Sequence, residues 1–493
     1  MGDSPLAGAA ASIRILNDDS LLNIFYLYRP AIFDGDGDDI LEECIMKGNI
    51  CDREKWWHKL AHVCQRWRNL ILGSASYLGL CLVCKTGTPV ADILAHSPHL
   101  PLIICYDDKD CDVTVEDEEG IFLALEQRDR VRCIRLLIPT LMMQKLLSLM
   151  AVHVEYPILE YMVVGSLTED RALMLPEVLQ APRLRHLALI DFAFPTGCRL
   201  LTTAVGLVTL YLCLNHPSID FQPTVLFQWL SLMPQLEILV IEFSDRDVER
   251  QLIHEPITTH VTLPNLRWLR FHYVGASLES LIRRIAAPSL KYLIILFGEQ
   301  RTFSVPYQLQ FLNTTIDLEF SHAEFGFLNE GVSVDLKPRE KAETYTLSIC
   351  IYCQHFDWQV SSMVQICDLL SHLFSTVEHL TLEYMVHEQS SKEHNEVDRT
   401  EWRNLLRSFG KVKTLRIDHG LVGEISRILR PDGEELPLEL LPELQELTIT
   451  LSDDVRDTLT SFIDARQNTG HTVTLSHSLG IPESSSSRTL PPR

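Results

Sequence analysis

The chain has 493 residues, more than one ordinary core holds, with 46% hydrophobic residues and a mean hydropathy of +0.06, so it has ample material to bury and does not have the composition of a disordered chain. Lys and Arg number 43 against 66 Asp and Glu, a formal net charge of −23. Such a surface disfavours nucleic acid and anionic membranes as partners and suits solubility or attraction to a basic protein.

The opening residues, MGDSPLAGAAAS, lack a basic n-region and an apolar stretch and do not read as a signal peptide. Gly2 gives only a loose likeness to a myristoylation signal, because Leu6 stands where Ser or Thr is needed. The longest apolar runs, around Leu207–Leu214 and Leu290–Phe297, are strand-sized rather than bilayer-sized. The 13 cysteines, an odd number without framework spacing, read as reduced and mostly buried, which points to a cytoplasmic or nuclear location.

Residues 1–11 are expected to be a flexible N-terminus. From Ser12 the pattern predicts an amphipathic helix capped by Asn17 or Asp18, with Leu21, Leu22, Phe25 and Tyr26 on one face and Pro30 closing it. An acidic insertion follows over 31–54. Within it Asp34-Gly-Asp-Gly-Asp-Asp fails as a calcium loop, since Asp39 and Ile45 stand where glycine and glutamate are required; a solvated loop is expected. A second helix is predicted over Lys55–Leu72, with Trp56, Leu60, Val63, Cys64, Trp67 and Leu70 in one stripe and Gly73 as its stop. Core packing is expected for at least one of Trp56 and Trp57. Asp107 onward and Glu116-Asp-Glu-Glu form a second acidic run, also expected to be a solvated loop.

Beyond residue 80 a phrase of the form L-x-x-L-x-L recurs with aliphatic substitutions. It begins at Leu184, Leu207, Leu236, Leu266 and Leu290, steps of 23, 29, 30 and 24 residues, and again at Val377, Val412 and Leu444. Val131/Ile134/Leu136 is a weaker early copy, and Leu347, Ile349 and Ile351 a diverged one. Proline stands two residues ahead of several copies (Pro182, Pro234, Pro264, Pro288, Pro442), where it ends one element and launches the next strand. Helical patterns fall between copies at Thr224–Leu232, Ser277–Ala286, Met363–Phe374, Thr400–Phe409 and Val455–Arg466. These are leucine-rich-repeat lengths with insertions, and they predict an α/β chain: a curved parallel sheet with outer helices over residues 81–475. Residues 300–345 and 385–398 fit poorly and are expected to be long loops, and 476–493 a disordered tail. The asparagine that normally follows the phrase is present only at Asn215, with Phe192, Ser244, Val274 and Gly298 elsewhere, so the array should be irregular.

Because strand side chains alternate, the last two apolar positions of each phrase should fill the core and the intervening ones should face a concave, open surface. Glu242, Arg270, His272, Glu383, Arg416 and Asp418 are the candidate substrate-binding residues by that rule. No constellation for catalysis appears: no nucleophile elbow, P-loop or dinucleotide fingerprint, and no cofactor is expected. Cys81-x-x-Cys84 and Cys350-x-x-Cys353 have zinc-like spacing, but each pair stands alone in a strand-like stretch that points its sulfurs to opposite faces, so buried thiols and no metal are expected.

Leu16-Asn-Asp-Asp-Ser-Leu-Leu-Asn-Ile-Phe together with Val63-Cys-Gln-Arg-Trp-Arg-Asn-Leu resembles an F-box over residues 12–80, although Asn17 replaces the usual proline and the acidic insertion separates the helices. Ser76-Tyr-Leu-Gly-Leu-Cys-Leu is similar to the segment that leads fungal F-box proteins into their repeats. The resemblance implies a non-catalytic substrate receptor of an SCF-type cullin–RING ubiquitin ligase. Its F-box would dock on the adaptor subunit of the cullin complex, and its leucine-rich-repeat solenoid would hold a protein substrate. Leu16, Leu21, Leu22, Ile24, Phe25, Val63, Cys64 and Trp67 would serve the docking module, some toward the adaptor and some toward the module's own core, with Cys64 read as core. The competing expectation is a repeat scaffold with no ligase link, the two helices being an N-terminal cap.

Overall fold

The computed structural model describes residues 16–29, 56–107, 113–166, 172–195, 197–214, 223–243, 260–272, 282–298, 312, 319–339, 346–385, 399–429, 439–450 and 456–478. The expectations for residues 1–11 and 31–54, for the body of 385–398, and for Asn215, Ser244 and Val274 lie outside these residues.

Helix α1 (Asp18–Tyr28) starts where the sequence places it, with the Asn17 side chain accepting from the Ser20 N–H at 2.8 Å. The single helix expected over 55–72 is instead two, α2 (Trp56–Ala61) and α3 (Gln65–Gly73). His62-Val63-Cys64 joins them, three weak helix formers in succession, and Cys64 turns extended so that its sulfur accepts from the Trp67 N–H at 3.5 Å. A short α4 (Ala75–Leu78) ends at Gly79, whose φ of +64° and whose missing Cβ, which would sit 3.0 Å from the Arg29 guanidinium, both call for glycine.

Two compact units divide the chain, Met1–Phe221 with Gln228–Ile238, and Gln222–Phe227 with Leu239–Arg493. The first contains β1 (Leu82–Lys85), α5 (Val90–His96), β2 (Leu102–Asp107), α6 (Val115–Glu126), β3 (Val131–Ile138), α7 (Thr140–His153), β4 (Tyr161–Ser166), β5 (Leu173–Met174), β6 (His186–Ile190), β7 (Phe192–Ala193), α8 (Arg199–Thr203) and β8 (Thr209–Leu214). Strands β1-β2-β3-β4-β6-β8 lie side by side in that order, every pair parallel; β5 and β7 form a small parallel ribbon. Parallel pairs need a crossover between strands; α5, α6, α7 and α8 supply four of the five, and the described residues of the β4–β6 connection carry β5 instead of a helix. Glu116–Glu119, expected in a loop, is the first turn of α6. Asp117 and Thr114 there form a capping box, and Asp117 also accepts from the Gly87 N–H at 2.8 Å. Helix α9 (Pro223–Leu230) draws residues from both units.

The second unit contains β9 (Ile238–Phe243), β10 (Val261–Thr262), β11 (Trp268–His272), β12 (Ile285–Ala286), β13 (Tyr292–Phe297), β14 (Phe320–Leu328), β15 (Gly331–Pro338), β16 (Thr346–Tyr352), α10 (Phe356–Leu369), α11 (Ser371–Phe374), β17 (His379–Met385), α12 (Arg399–Arg407), β18 (Thr414–Asp418), α13 (Val422–Leu429), β19 (Glu446–Thr450), α14 (Arg456–Asn468) and β20 (Thr474–Ser478). Its strand order is β9-β11-β13-β16-β15-β14-β17-β18-β19-β20, with β10 and β12 in a separate ribbon. Within residues 300–345, expected as a loop, β14 and β15 make an antiparallel hairpin, and β15 pairs antiparallel with β16. Alternating Ala323, Phe325, Phe327 and Val332, Val334, Leu336 explain it: each strand has one apolar face, a two-residue period that the search for the longer phrase passes over. The strand at β12 replaces part of the helix expected over Ser277–Ala286, and β20 carries order to Ser478, past the expected start of a disordered tail at 476.

The recurrent aliphatic positions do stack. Leu187 and Leu189 pair with Leu210 and Leu212, Leu269 and Phe271 with Leu293 and Ile295, and Leu380 and Leu382 with Leu415 and Ile417, which pair in turn with Leu447 and Ile449. All are at most 2% exposed. In the second unit the helices cover this side: Phe327 meets Phe356 and Trp402, and Phe325 meets Phe374 and Phe409.

Candidate docking surface

Helix α1 divides its side chains sharply. Leu21 and Phe25 are buried, Phe25 lying edge-on to Trp67 at 4.8 Å. At 3.6 residues per turn, Ile24, Leu27 and Tyr28 fall on one flank of that stripe and Tyr26 on the other, and the exposures follow: Ile24 46%, Tyr26 48%, Leu27 82% and Tyr28 58%. Four large apolar or aromatic side chains on an eleven-residue helix thus face outward, whereas large exposed apolar groups in soluble monomers are usually scattered singly.

Arg66 fixes the pose of this helix. Its guanidinium donates to Asp18 Oδ1 at 2.7 and 3.0 Å and to the Leu16 carbonyl at 2.7 Å, so the start of α1 is tied to α3. Tyr77, on α4, donates its hydroxyl to Asn23 Oδ1 at 3.1 Å and lies 5.5 Å from the Tyr26 ring. Between α1 and the α3–α4 junction an open groove is lined by Asp19, Leu22, Asn23, Leu72, Ser76 and Tyr77 among others.

The eight docking candidates sort into three groups. Leu21 and Phe25 belong to the module's core; Leu16, Leu22 and Trp67 are half-buried against it; Ile24, Val63 and Cys64 are exposed. Cys64, expected in the core, is an exposed cap, and Tyr26 leaves the face it was assigned to. Trp56 and Trp57 are both buried, and Trp57 Nε1 donates to the Cys81 carbonyl at 3.3 Å. Leu27, Tyr28, Tyr77, Asp19 and Arg66 were not singled out from the sequence. The helical arithmetic could have found Leu27 and Tyr28 once Asn17 is taken as the cap; Tyr77 and Arg66 enter only through packing.

The six substrate candidates are not brought together. Glu242, Arg270 and His272 meet on β9 and β11, Arg270 Nη2 donating to His272 Nε2 at 2.7 Å while His272 Nδ1 lies 3.4 Å from Glu242 Oε1. With Nε2 accepting, the ring proton sits on Nδ1, facing the carboxylate. His272 is buried, not open as expected, and burial, together with Arg270, pushes its pKa well below the ordinary histidine range. Glu383, Arg416 and Asp418 lie on β17 and β18; Arg416 is exposed, and Asp418 Oδ1 accepts from the Gly420 N–H at 3.0 Å. Four strands separate the two groups, so that β11 and β17 are roughly 24 Å apart at the usual strand spacing.

The expectation of an open face opposite the core holds only in part. In the first unit that face is closed: Cys133, Arg135, Tyr161, Val163, His186, Ala188, Tyr211 and Cys213 are all buried, with Arg135 paired to Asp107 at 2.9 Å. In the second unit it is polar and partly open, with Ser348, Glu324, Thr381, Arg416, Thr448 and Ser476 half-buried or exposed.

Of the zinc-like pairs, Cys81, Cys84 and Cys353 are buried and Cys350 is half-buried. Burial raises the pKa values of Cys84 and Cys353 to about 11 and about 12; among the described residues no group of three or more His, Cys, Asp or Glu could hold a metal. One cysteine departs from the reduced reading: Cys105 is disulfide-bonded. Among the described residues no helix is long and apolar enough to cross a membrane. No protein-family model matches the chain, and no curated protein matches it.

Proposed function

We propose that this chain is a non-catalytic substrate receptor of an SCF-type ubiquitin ligase, acting in the cytoplasm or nucleus. In this reading the N-terminal helices are an F-box that docks on the adaptor subunit, and the sheet is an irregular leucine-rich-repeat array that presents its open polar face to a protein target. The observation that carries it is the outward apolar face of α1, with Ile24, Leu27 and Tyr28 on one flank and Tyr26 on the other, on a helix that needs only Leu21 and Phe25 for its own packing. Fully burying one such side chain is worth about 1.5–3 kcal/mol, so these side chains can form the apolar centre of an interface once the cost of association is met by the surrounding contacts. On the target side, Glu383, Arg416 and Asp418 remain candidates; His272 does not.

Binding of purified full-length chain to recombinant adaptor, with and without Leu27→Asp, tests the docking. Loss of binding in the variant, with an unchanged melting curve, supports the reading, and a wild-type chain that fails to bind the adaptor overturns it.

A second reading has an observation of its own. Leu21, Phe25, Trp56, Trp57 and Ile71 share one apolar cluster with Leu80, Leu82, Leu100 and Leu102, so the helices also close the first end of the sheet, as a terminal cap of a repeat scaffold must. A fragment beginning near residue 85 separates the two roles: if it stays soluble and folded, the helices are not needed as a cap.

A further inference from the structure

The groove between α1 and the α3–α4 junction has a charge asymmetry that the exposed face of α1 lacks. Asp18 and Asp19 both stand in the first turn of α1, but they are used differently. Asp18 is neutralised by Arg66, whereas Asp19 is exposed, lines the groove, and has no ion-pair partner among the described residues. The opposite wall is the C-terminal end of α3, where Leu72, Gly73 and Ser74 line the groove and the last turn carries no basic residue. No basic side chain of that turn offsets the partial negative charge that a helix accumulates at its C-terminal end.

Between these two sources of negative potential the floor is apolar, formed by Leu22, Leu72 and Ala75, and one rim is aromatic, Tyr77 resting against Tyr26. Asn23 Oδ1 is already occupied by the Tyr77 hydroxyl, which holds that ring in place beside the groove. An apolar trough with, at one side, a carboxylate that has no ion-pair partner among the described residues, a helix C-terminus at the other and a tyrosine at the rim matches one kind of side chain: a long aliphatic stem ending in a cation.

We infer that this groove receives a lysine or arginine side chain of the docking partner, its stem on Leu22 and Leu72 and its head between Asp19 and the end of α3. The inference deepens the docking reading and rests on it. It assigns two tasks to two sets of residues: Ile24, Leu27 and Tyr28 supply apolar area, and the groove supplies a charge-specific contact that fixes register.

The test uses full-length chain and recombinant adaptor, with the dissociation constant measured across a salt series for wild type, Leu27→Asp, Asp19→Asn and Asp19→Lys. Asp19 is exposed, and unchanged melting curves will show that its variants fold. The expected result is about tenfold weaker binding for Asp19→Asn, a larger loss for Asp19→Lys, and a shallower salt dependence in both. If Leu27→Asp abolishes binding while both Asp19 variants bind like wild type with the same salt slope, the groove assignment is overturned and the docking reading stands. If wild type does not bind the adaptor at any salt concentration, the docking reading fails and takes the groove with it.

Discussion

Phe25 and Leu27 stand two residues apart on α1 at opposite extremes of burial, 1% and 82% exposed, so the pair measures the orientation of the helix directly. Truncating Phe25 to alanine removes a ring that lies 4.8 Å from Trp67 and belongs to the same cluster as Leu21, Trp57 and Ile71. A buried Phe→Ala change costs about 3–5 kcal/mol, transfer and cavity together. Leu27→Ala, at a surface position, should stay within about 0.5 kcal/mol. Because the chain has two compact units, a global unfolding free energy is a poor readout; hydrogen exchange followed on a peptide spanning residues 16–29 reports the local opening instead. If α1 opens independently, Phe25→Ala should speed its exchange by roughly two to three and a half decades, at about 1.4 kcal/mol per decade, and Leu27→Ala should leave it within a factor of about two to three. The same Leu27→Ala protein should bind the adaptor more weakly. A helix whose protection falls with Leu27→Ala and survives Phe25→Ala would mean that α1 presents the opposite face, and both the docking surface and the groove would go with it.

Three further outcomes follow from other parts of the molecule. Asp117→Ala removes the α6 capping box and the bond to the Gly87 N–H, at a cost of about 1–3 kcal/mol. Burial works against the Asp117 carboxylate, but the N–H groups of Gly87 and Thr114 and the Thr114 hydroxyl hold its pKa below the usual range. Its stabilisation is therefore full above the ordinary carboxylate pKa and lost as pH falls through the lower folded value, and melts of wild type and variant should converge only below about pH 4. His186 has the complementary behaviour: burial, aided by Arg185, lowers its pKa to about 4, so the unfolded chain takes up a proton before the folded one. Stability should fall by about 3 kcal/mol as pH drops from the ordinary histidine value to about 4, and His186→Gln should flatten the pH profile in that window; an unchanged slope would place the imidazole in water. Gly165→Ala would bring a Cβ to 2.8 Å from Ile190 Cβ and 3.0 Å from Leu137 Cδ2, so a loss of about 1–3 kcal/mol of hydrogen-exchange protection across β4 and β6 is expected, and a neutral result would show that this sheet face is loosely packed.

Whatever depends on a local period can be read along the chain. Asn17 as a cap, the strand positions of the aliphatic phrases and the side to which Leu187, Leu210 or Leu447 turns are set within a few residues, because side chains alternate in strands and repeat every 3.6 residues in helices. The β14–β15 hairpin has the same kind of signature, but its two-residue period lacks the L-x-x-L-x-L spacing of the repeats, so the recurrent phrase predicts a loop there. The tertiary structure decided what depends on residues distant in the chain. The ordinary charged pair Arg66 and Asp18 becomes the tie between α1 and α3 across 48 residues, and Tyr77 becomes a groove wall by meeting Asn23 across 54. Alternation alone predicts an open side opposite the aliphatic core in both units, yet that side is closed around Arg135 and His186 in the first and partly open around Arg416 in the second. Alternation fixes which way a side chain points, but whether water meets it there depends on what else is folded against it.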